Sequence, residues 1–267
     1  MRILSLNAWG GQQHADLLPF LATADADVVC LQEVPRAPGR TPDWLIYRDR
    51  SVELQQRSNL FAEIAAVLPD HDSAFFPTSR GELIGSDGPV WVEFGIATYL
   101  RKSLPVIGQA AGFVHGSFSP HAFGDHPRPR NAHCLRVFDY AAGHAVTIAH
   151  LHGLRTMDGK GDNAERDAQA AALASLIRSV WPGGERLVVC GDLNVLPGGG
   201  IFRVLGQFGL TDLVTSRGFS GTRTSLYRKP ERFADYMFVT PDIRVLSFDV
   251  IRQPEVSDHC PLLLDLA

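Results

Sequence analysis

Two stretches decide the fold: Val28-Val29-Cys30-Leu31-Gln32-Glu33 and Val188-Val189-Cys190-Gly191-Asp192-Leu193-Asn194. Each opens with a short apolar run, the pattern of a strand buried on both faces. Each delivers a carboxylate at its C-terminal end, where open α/β sheets place their ligands. The echo suggests two related halves without establishing a repeat. Working outward, Arg2–Leu6, Ala97–Leu100, Val137–Tyr140, Val146–Ala149, Tyr236–Val239 and Leu262–Leu266 also read as strands. Helices are expected over His14–Ala24, Val52–Leu68 and Asn163–Val180, with a shorter one at Gly198–Phe208. Asp162 or Asn163 would cap the third, and Trp181-Pro182-Gly183 would end it. Residues 111–131 read as a long loop of the kind that often carries function.

The chain has 267 residues and no linker-like stretch, so a single domain over 1–267 is expected. Its apolar and charged shares, 45% and 20%, are those of an ordinary soluble globular protein. A net charge of −4 provides no global attraction to nucleic acid or an acidic membrane. Locally, Arg217, Arg223, Arg228, Lys229 and Arg232 stand against only Glu231, an excess suited to a phosphate-rich substrate or to a solvated loop. No charged-then-apolar leader opens the sequence, and no apolar run approaches the ~18 residues of a membrane span. Cys30, Cys134, Cys190 and Cys260 lie far apart among apolar neighbours, which fits buried thiols in a reducing cytoplasm.

The chemistry lies at the strand ends. Glu33 could hold a hard cation such as Mg²⁺, which needs oxygen ligands and keeps several waters; it could equally cap a helix or pair with an Arg. In Gly191-Asp192-Leu193-Asn194, glycine permits a close turn, Asp192 can orient or deprotonate water, and Asn194 can donate to a phosphoryl oxygen. Ser257-Asp258-His259 pairs an acid with a group that titrates near neutrality, and Asp235 is its natural partner. His150 and His152, at i and i+2, would share one strand face, an arrangement some zinc hydrolases use; were the strand to end at Ala149, His150 alone would point into a site. Asn7 adds a neutral oxygen that could bind a metal or orient Glu33. No GxxxxGK[ST], GxGxxG or GxSxG motif is present, so neither a nucleotide cofactor nor a covalent serine is expected.

With Asn7, Gln32-Glu33, His150, Gly191-Asp192-Leu193-Asn194, Asp235-Tyr236 and Ser257-Asp258-His259 in this order, the chain resembles the endonuclease/exonuclease/phosphatase superfamily. The match extends from Asn7 to His259, and Phe94-Gly95-Ile96-Ala97 followed by Arg101 looks like the family's internal strand. The resemblance implies an α/β fold: a four-layer sandwich of two mixed β-sheets packed face to face, with helices outside. It implies Mg²⁺ or Mn²⁺ held chiefly by Glu33, with Asn7 nearby and Asp258 as a second-site ligand. Asp192 would orient or activate water, and Asn194 would hold the phosphate. His259, steadied by Asp235, would stabilise charge or move a proton, and His150 would serve a phosphate oxygen or the leaving group. Glu93 would pair with His150, and Arg130-Asn131 would contact phosphate. Ile148 stands where many members carry Asn.

The implied activity is hydrolysis of a phosphodiester, with nucleic acid as one candidate substrate. The alternatives are a phosphatase or phospholipase acting on an inositol, nucleotide or lipid headgroup, a zinc hydrolase using His150 and His152, and a non-catalytic phosphate-binding protein on the same fold. No protein partner is evident.

Overall fold

The computed structural model describes residues 1–39, 41–49, 52–157 and 159–267. The strands of the first half are β1 (Arg2–Asn7), β2 (Val28–Arg36), β3 (Trp44–Asp49), β4 (Val52–Arg57), β5 (His71–Gly85), β6 (Gly88–Arg101) and β7 (Val106–His115). Those of the second are β8 (Arg130–Asp139), β9 (His144–His152), β10 (Arg186–Asp192), β11 (Thr211–Asp212), β12 (Asp235–Val239), β13 (Val245–Val250) and β14 (Leu262–Leu266). They form an eight-stranded sheet in the order β13-β14-β1-β2-β6-β5-β3-β4 and a six-stranded sheet in the order β11-β12-β10-β9-β8-β7. Helices α1 (His14–Thr23), α2 (Leu60–Val67), α3 (Ala164–Val180), α4 (Gly200–Gly206) and α5 (Leu213–Ser216) complete the chain.

Each sheet is mixed because it holds one parallel pair: β1 with β2 through α1, and β9 with β10 through α3. These are the two stretches that echo each other in sequence. Alternation along the strands sorts their side chains into layers. Leu4, Leu6, Val29, Leu31 and Tyr99 pack with Leu17, Leu21, Leu60 and Ile64 of α1 and α2 in one cluster. Ile3 and Cys30 of the first sheet join Ile148 and Cys190 of the second in another, which also takes in Leu173 and Ile177 of α3. The result is the expected α/β sandwich of two mixed sheets, with each fully buried Leu or Ile contributing about 1.5–3 kcal/mol. The echoing cysteines meet between the sheets, where a hydrogen bond with Cys190 and burial push the Cys30 thiol well up. All four cysteines are buried and free. Among the described residues no helix is long and apolar enough to cross a membrane.

Helix α3 starts where Asn163 accepts the Arg166 amide at 2.9 Å, and it ends at Trp181. The helix expected over Val52–Leu68 is corrected. Val52–Arg57 forms β4, paired with β3, and α2 begins only at Leu60. Leu, Glu, Gln and Arg there favour a helix intrinsically, but pairing overrides that weak preference. The Arg57 guanidinium lies 4.9 Å over the Trp44 ring across the hairpin and also bonds Glu63. The loop expected over 111–131 shrinks to 116–129, because β7 runs to His115 and β8 starts at Arg130.

Between the sheets, the Thr98 hydroxyl lies 2.8 Å from both His133 Nδ1 and His150 Nε2. Burial pushes the His133 imidazole down to about 4. Its folded pKa therefore lies below the unfolded value of about 6.5, and the unfolded chain binds more protons between the two. Stability is fully present above pH 6.5 and falls as the pH drops toward 4. A His133→Gln protein should lose less stability than wild type across that window, by up to about 3 kcal/mol at ~1.4 kcal/mol per pH unit. Urea titrations at pH 7.0 and 4.5 measure the difference, and equal losses in both proteins would remove His133 as the cause.

Candidate active site

Both parallel pairs end at the same edge of the sandwich. Asn7 is registered with Gln32 in one sheet, and Asp192 lies between His152 and Asp235 in the other. The sheets are joined there by Asn7 Nδ2, which donates to Asp192 Oδ2 at 3.0 Å. Glu33 is aimed by a bulge: β2 slips register against β6 between Leu31 and Val34. It adopts a left-handed φ of 55°, as do Trp9 at 50° and Asn194 at 53°. Such conformations cost about 1–3 kcal/mol each and gather at functional sites. All three residues line one cavity of about 300 Å³.

Asp192 is the hub. Its Oδ1 accepts the Asn194 amide at 3.0 Å, while Oδ2 lies 3.7 Å from both His152 Nε2 and His259 Nε2. Those two gaps are too long for hydrogen bonds and suit a bridging water or substrate oxygen. Gly191 makes the approach possible: at φ 135°, an added Cβ would sit 2.1 Å from the Leu151 carbonyl oxygen. Asn194 Nδ2 donates to Gly153 O at 3.3 Å, which leaves its second N–H available.

His259 comes to the hub through its loop. The Ser257 hydroxyl donates to the Asn7 carbonyl at 2.7 Å and accepts the His259 amide at 3.2 Å. His259 Nδ1 lies 2.8 Å from Asp235 Oδ1, and Thr222 Oγ1 donates to Asp235 Oδ2 at 2.8 Å. Burial pushes the Asp235 carboxyl up and the His259 imidazole down. Beside them, Arg223 Nη1 donates to Asp258 Oδ2 at 2.7 Å, whereas the buried Asp258 Oδ1 has no hydrogen-bond partner. Glu33 is also pushed up, by burial and by repulsion from Asp192, against the hydrogen bond of Asn7.

The structure thus brings Asn7, Glu33, Asp192, Asn194, Asp235, Asp258 and His259 together. Arg130 joins them: its Nε donates to Gly153 O at 2.9 Å, and burial lowers its pKa to about 10 while Glu33 and Asp192 raise it. Three expectations on placement are corrected. His150 is wholly buried on Thr98 and His133, and His152 occupies the place foreseen for it, 3.7 Å from Glu33 Oε1. The reason is strand length, since β9 continues to His152. Glu93 pairs with Arg36 at 3.5 Å rather than with His150. Asn131 crosses between the sheets to donate to Phe76 O at 2.8 Å. A zinc site shared by His150 and His152 loses the first of its ligands in the same way.

Sequence reasoning did not single out Arg223, Thr222, Lys160 or Trp9. Arg223 belonged to a noted basic segment, but its bridge to His259 exists only in the folded chain. Lys160 donates to the Phe233 carbonyl and lines the cavity; burial lowers its pKa while Asp192 raises it.

A family model described as Endonuclease/Exonuclease/phosphatase family matches residues 4–259. The chain belongs to that family. No curated protein matches it by sequence. Among solved structures it is similar to an endonuclease/exonuclease/phosphatase from Beutenbergia cavernae, at 17% identity and a TM-score of 0.70, over 100% of this chain and 71% of that one. A mannosyl-6-phosphatase from Bacteroides thetaiotaomicron is similar at 15% identity and 0.68, over 100% and 99%. The human Nocturnin catalytic domain, solved with sulfate, is similar at 16% and 0.67, over 100% and 93%. At these identities the likeness is one of fold, and the fold of this family is a phosphoesterase fold.

The donor set suits a hard divalent cation. Glu33 and the unpartnered Asp258 Oδ1 offer oxygens at one cavity, and Asn7 lies behind them on Asp192 Oδ2. Asp192, Asp235 and His259 also present ligand atoms within 4.8 Å of one another. There, however, His259 Nδ1 and Asp235 already satisfy each other. The Arg223–Asp258 pair is buried, so removing one partner leaves an uncompensated charge. Arg223→Met should lower the unfolding free energy at neutral pH by about 3–5 kcal/mol. Urea denaturation would read this out, and a loss below 1 kcal/mol would mean the pair contributes little.

Proposed function

We propose that this protein is a divalent-metal-dependent phosphoesterase, acting through one catalytic domain over residues 1–267 and hydrolysing a phosphodiester by in-line attack of water. The observation that carries this reading is the arrangement around Asp192 Oδ2. Two imidazole nitrogens stand 3.7 Å away, and Asn7 holds the oxygen from the opposite sheet. Mg²⁺ or Mn²⁺, held by Glu33 with Asn7 and Asp258, would supply charge stabilisation to the phosphoryl oxygens. Asp192 orients the attacking water and takes its proton. Asn194 donates its free N–H to the phosphate. His259, kept in one orientation by Asp235, serves the charge that develops at phosphorus, and His152 serves the oxygen of the departing alcohol. Arg130 and Arg223 balance the acids and draw the anionic ester in. The four free cysteines support work in a reducing cytoplasm.

Metal-stripped protein should regain hydrolysis of bis-p-nitrophenyl phosphate with Mg²⁺ or Mn²⁺, and Asp192→Asn should lose about 10²–10⁴-fold in kcat. The corresponding monoester and plasmid DNA, assayed alongside, separate a phosphatase from a nuclease. No turnover of any of the three with Mg²⁺, Mn²⁺ or Zn²⁺ would count against the reading. His152→Gln should reduce kcat by about 10²-fold or more, while His150→Gln keeps most of it. The reverse order would return the role to His150. Binding also stabilises the folded state, by about 2.7 kcal/mol at a hundredfold excess over Kd. Mg²⁺ or Mn²⁺ should therefore raise Tm in wild type and not in Glu33→Gln, whatever the substrate.

A further inference from the structure

Arg223 stands beside the reacting centre because its backbone is pinned there. It bridges His259 in antiparallel fashion, with Cys260 N donating to Thr222 O at 2.8 Å and Thr224 N to Asp258 O at 3.1 Å. Arg232 Nη2 holds the segment by donating to the carbonyls of Arg223 and Thr224, both at 2.7 Å. The Tyr227 ring covers the guanidinium, its centroid 4.1 Å from Cζ. The residue is 6% exposed and lines the cavity at Asp192.

Within that wall the guanidinium is bonded end-on. Nη1 donates to Asp258 Oδ2, while Nε is buried without a partner and Nη2 has none among the described residues. Asp258 Oδ1, also buried, has none either. Ion pairs remote from the cavity are made differently in this chain. Arg2 with Asp265 and Arg136 with Glu185 each set Nε and Nη2 against both carboxylate oxygens. At Arg223 that fork is left open, although buried polar groups without partners are costly. Such a fork fits the oxygens of a tetrahedral anion.

Charge points the same way. Burial works against the positive charge of Arg223, and Asp192, Asp235 and Asp258 more than restore it. A second metal ion beside one at Glu33 would need these same acids. Asp258 Oδ2 is already taken by Nη1 and Asp235 by His259 Nδ1, so that ion would stand against a fixed positive charge.

We propose that Arg223 is the fixed second cation of this site: its Nε–Nη2 fork binds a non-bridging phosphoryl oxygen of the ester, and its charge limits the acids to one divalent ion. Asp258 gives Oδ2 to the guanidinium and keeps Oδ1 for the ion. As the bond from water to phosphorus forms and the bond to the departing alcohol breaks, the fork stays on an oxygen whose negative charge grows. This assignment rests on the phosphoesterase reading and deepens it by adding a catalytic residue.

The test is calorimetric titration of the metal-stripped full chain with Mn²⁺, followed by titration of the Mn²⁺-saturated protein with inorganic phosphate. Wild type should bind one Mn²⁺ per chain and then phosphate. Arg223→Lys keeps the charge and removes the fork, so it should still bind one Mn²⁺ while phosphate affinity falls at least about tenfold. Arg223→Met removes the charge as well and should bind two Mn²⁺; if it does not fold, wild type and Arg223→Lys carry the test. Two Mn²⁺ in wild type, no phosphate binding to it, phosphate affinity unchanged in Arg223→Lys, or a folded Arg223→Met protein that still binds one ion would each overturn the proposal. Turnover of bis-p-nitrophenyl phosphate by wild type and its loss in Asp192→Asn do not depend on these titrations, so failure of the arginine's role and failure of the phosphoesterase reading are told apart.

Discussion

The hydrogen bond from Asn7 Nδ2 to Asp192 Oδ2 connects the two sheets at the one edge where both expose strand ends. These residues lie 185 positions apart in sequence, so the bond exists only if both parallel pairs are in register and the sandwich is closed. The same asparagine fixes its own neighbourhood. Its side-chain oxygen accepts the Trp9 amide, and its main-chain oxygen accepts the Ser257 hydroxyl, which brings in the loop that carries Asp258 and His259. One side chain and one carbonyl thus set the relative positions of β1, β10 and the segment before β14. A slip of one residue in the register of either parallel pair would flip these groups to the opposite face.

Such a site is costly to build. Four acids, Glu33, Asp192, Asp235 and Asp258, meet at one end of the core, and burial pushes Glu33, Asp235 and Asp258 toward their neutral forms. Arg223 opposes this at both Asp235 and Asp258, and Arg130 opposes it at Glu33. The cations come from segments distant in sequence and are themselves buried among the acids they oppose. Three left-handed residues at the same cavity show that backbone strain is concentrated where the acids are.

Much of this was readable from sequence because carboxylates at the ends of buried strands announce themselves locally. Glu33 and Asp192 follow apolar runs, and the parallel pairs β1–β2 and β9–β10 are the echo seen in the one-dimensional pattern. Residues placed by pairing were not readable. Arg223 reaches Asp258 across 35 positions, and no local signal marks it within a basic stretch. Val52–Arg57 has the composition of a helix and becomes a strand because Trp44–Asp49 lies beside it. Glu93 was expected beside His150, yet its register partner is Arg36, with which its side chain pairs.

The two histidines show the limit most clearly, because His150 and His152 share residue type, strand and face. Two residues of strand separate their Cα atoms by about 6.6 Å, so one imidazole must lie a full layer deeper than the other. Which one reaches the edge depends on where β9 stops relative to β10. The parallel register sets Asp192 opposite His152 and Cys190 opposite His150. Cys190 belongs to the core, so His150 does too; its Nε2 meets Thr98 of the other sheet, while its buried Nδ1 has no hydrogen-bond partner. Asp192 is the last residue of its strand, and the histidine beside it therefore faces the cavity. A motif names residue types in order, but the depth of each along its strand is a property of the pair.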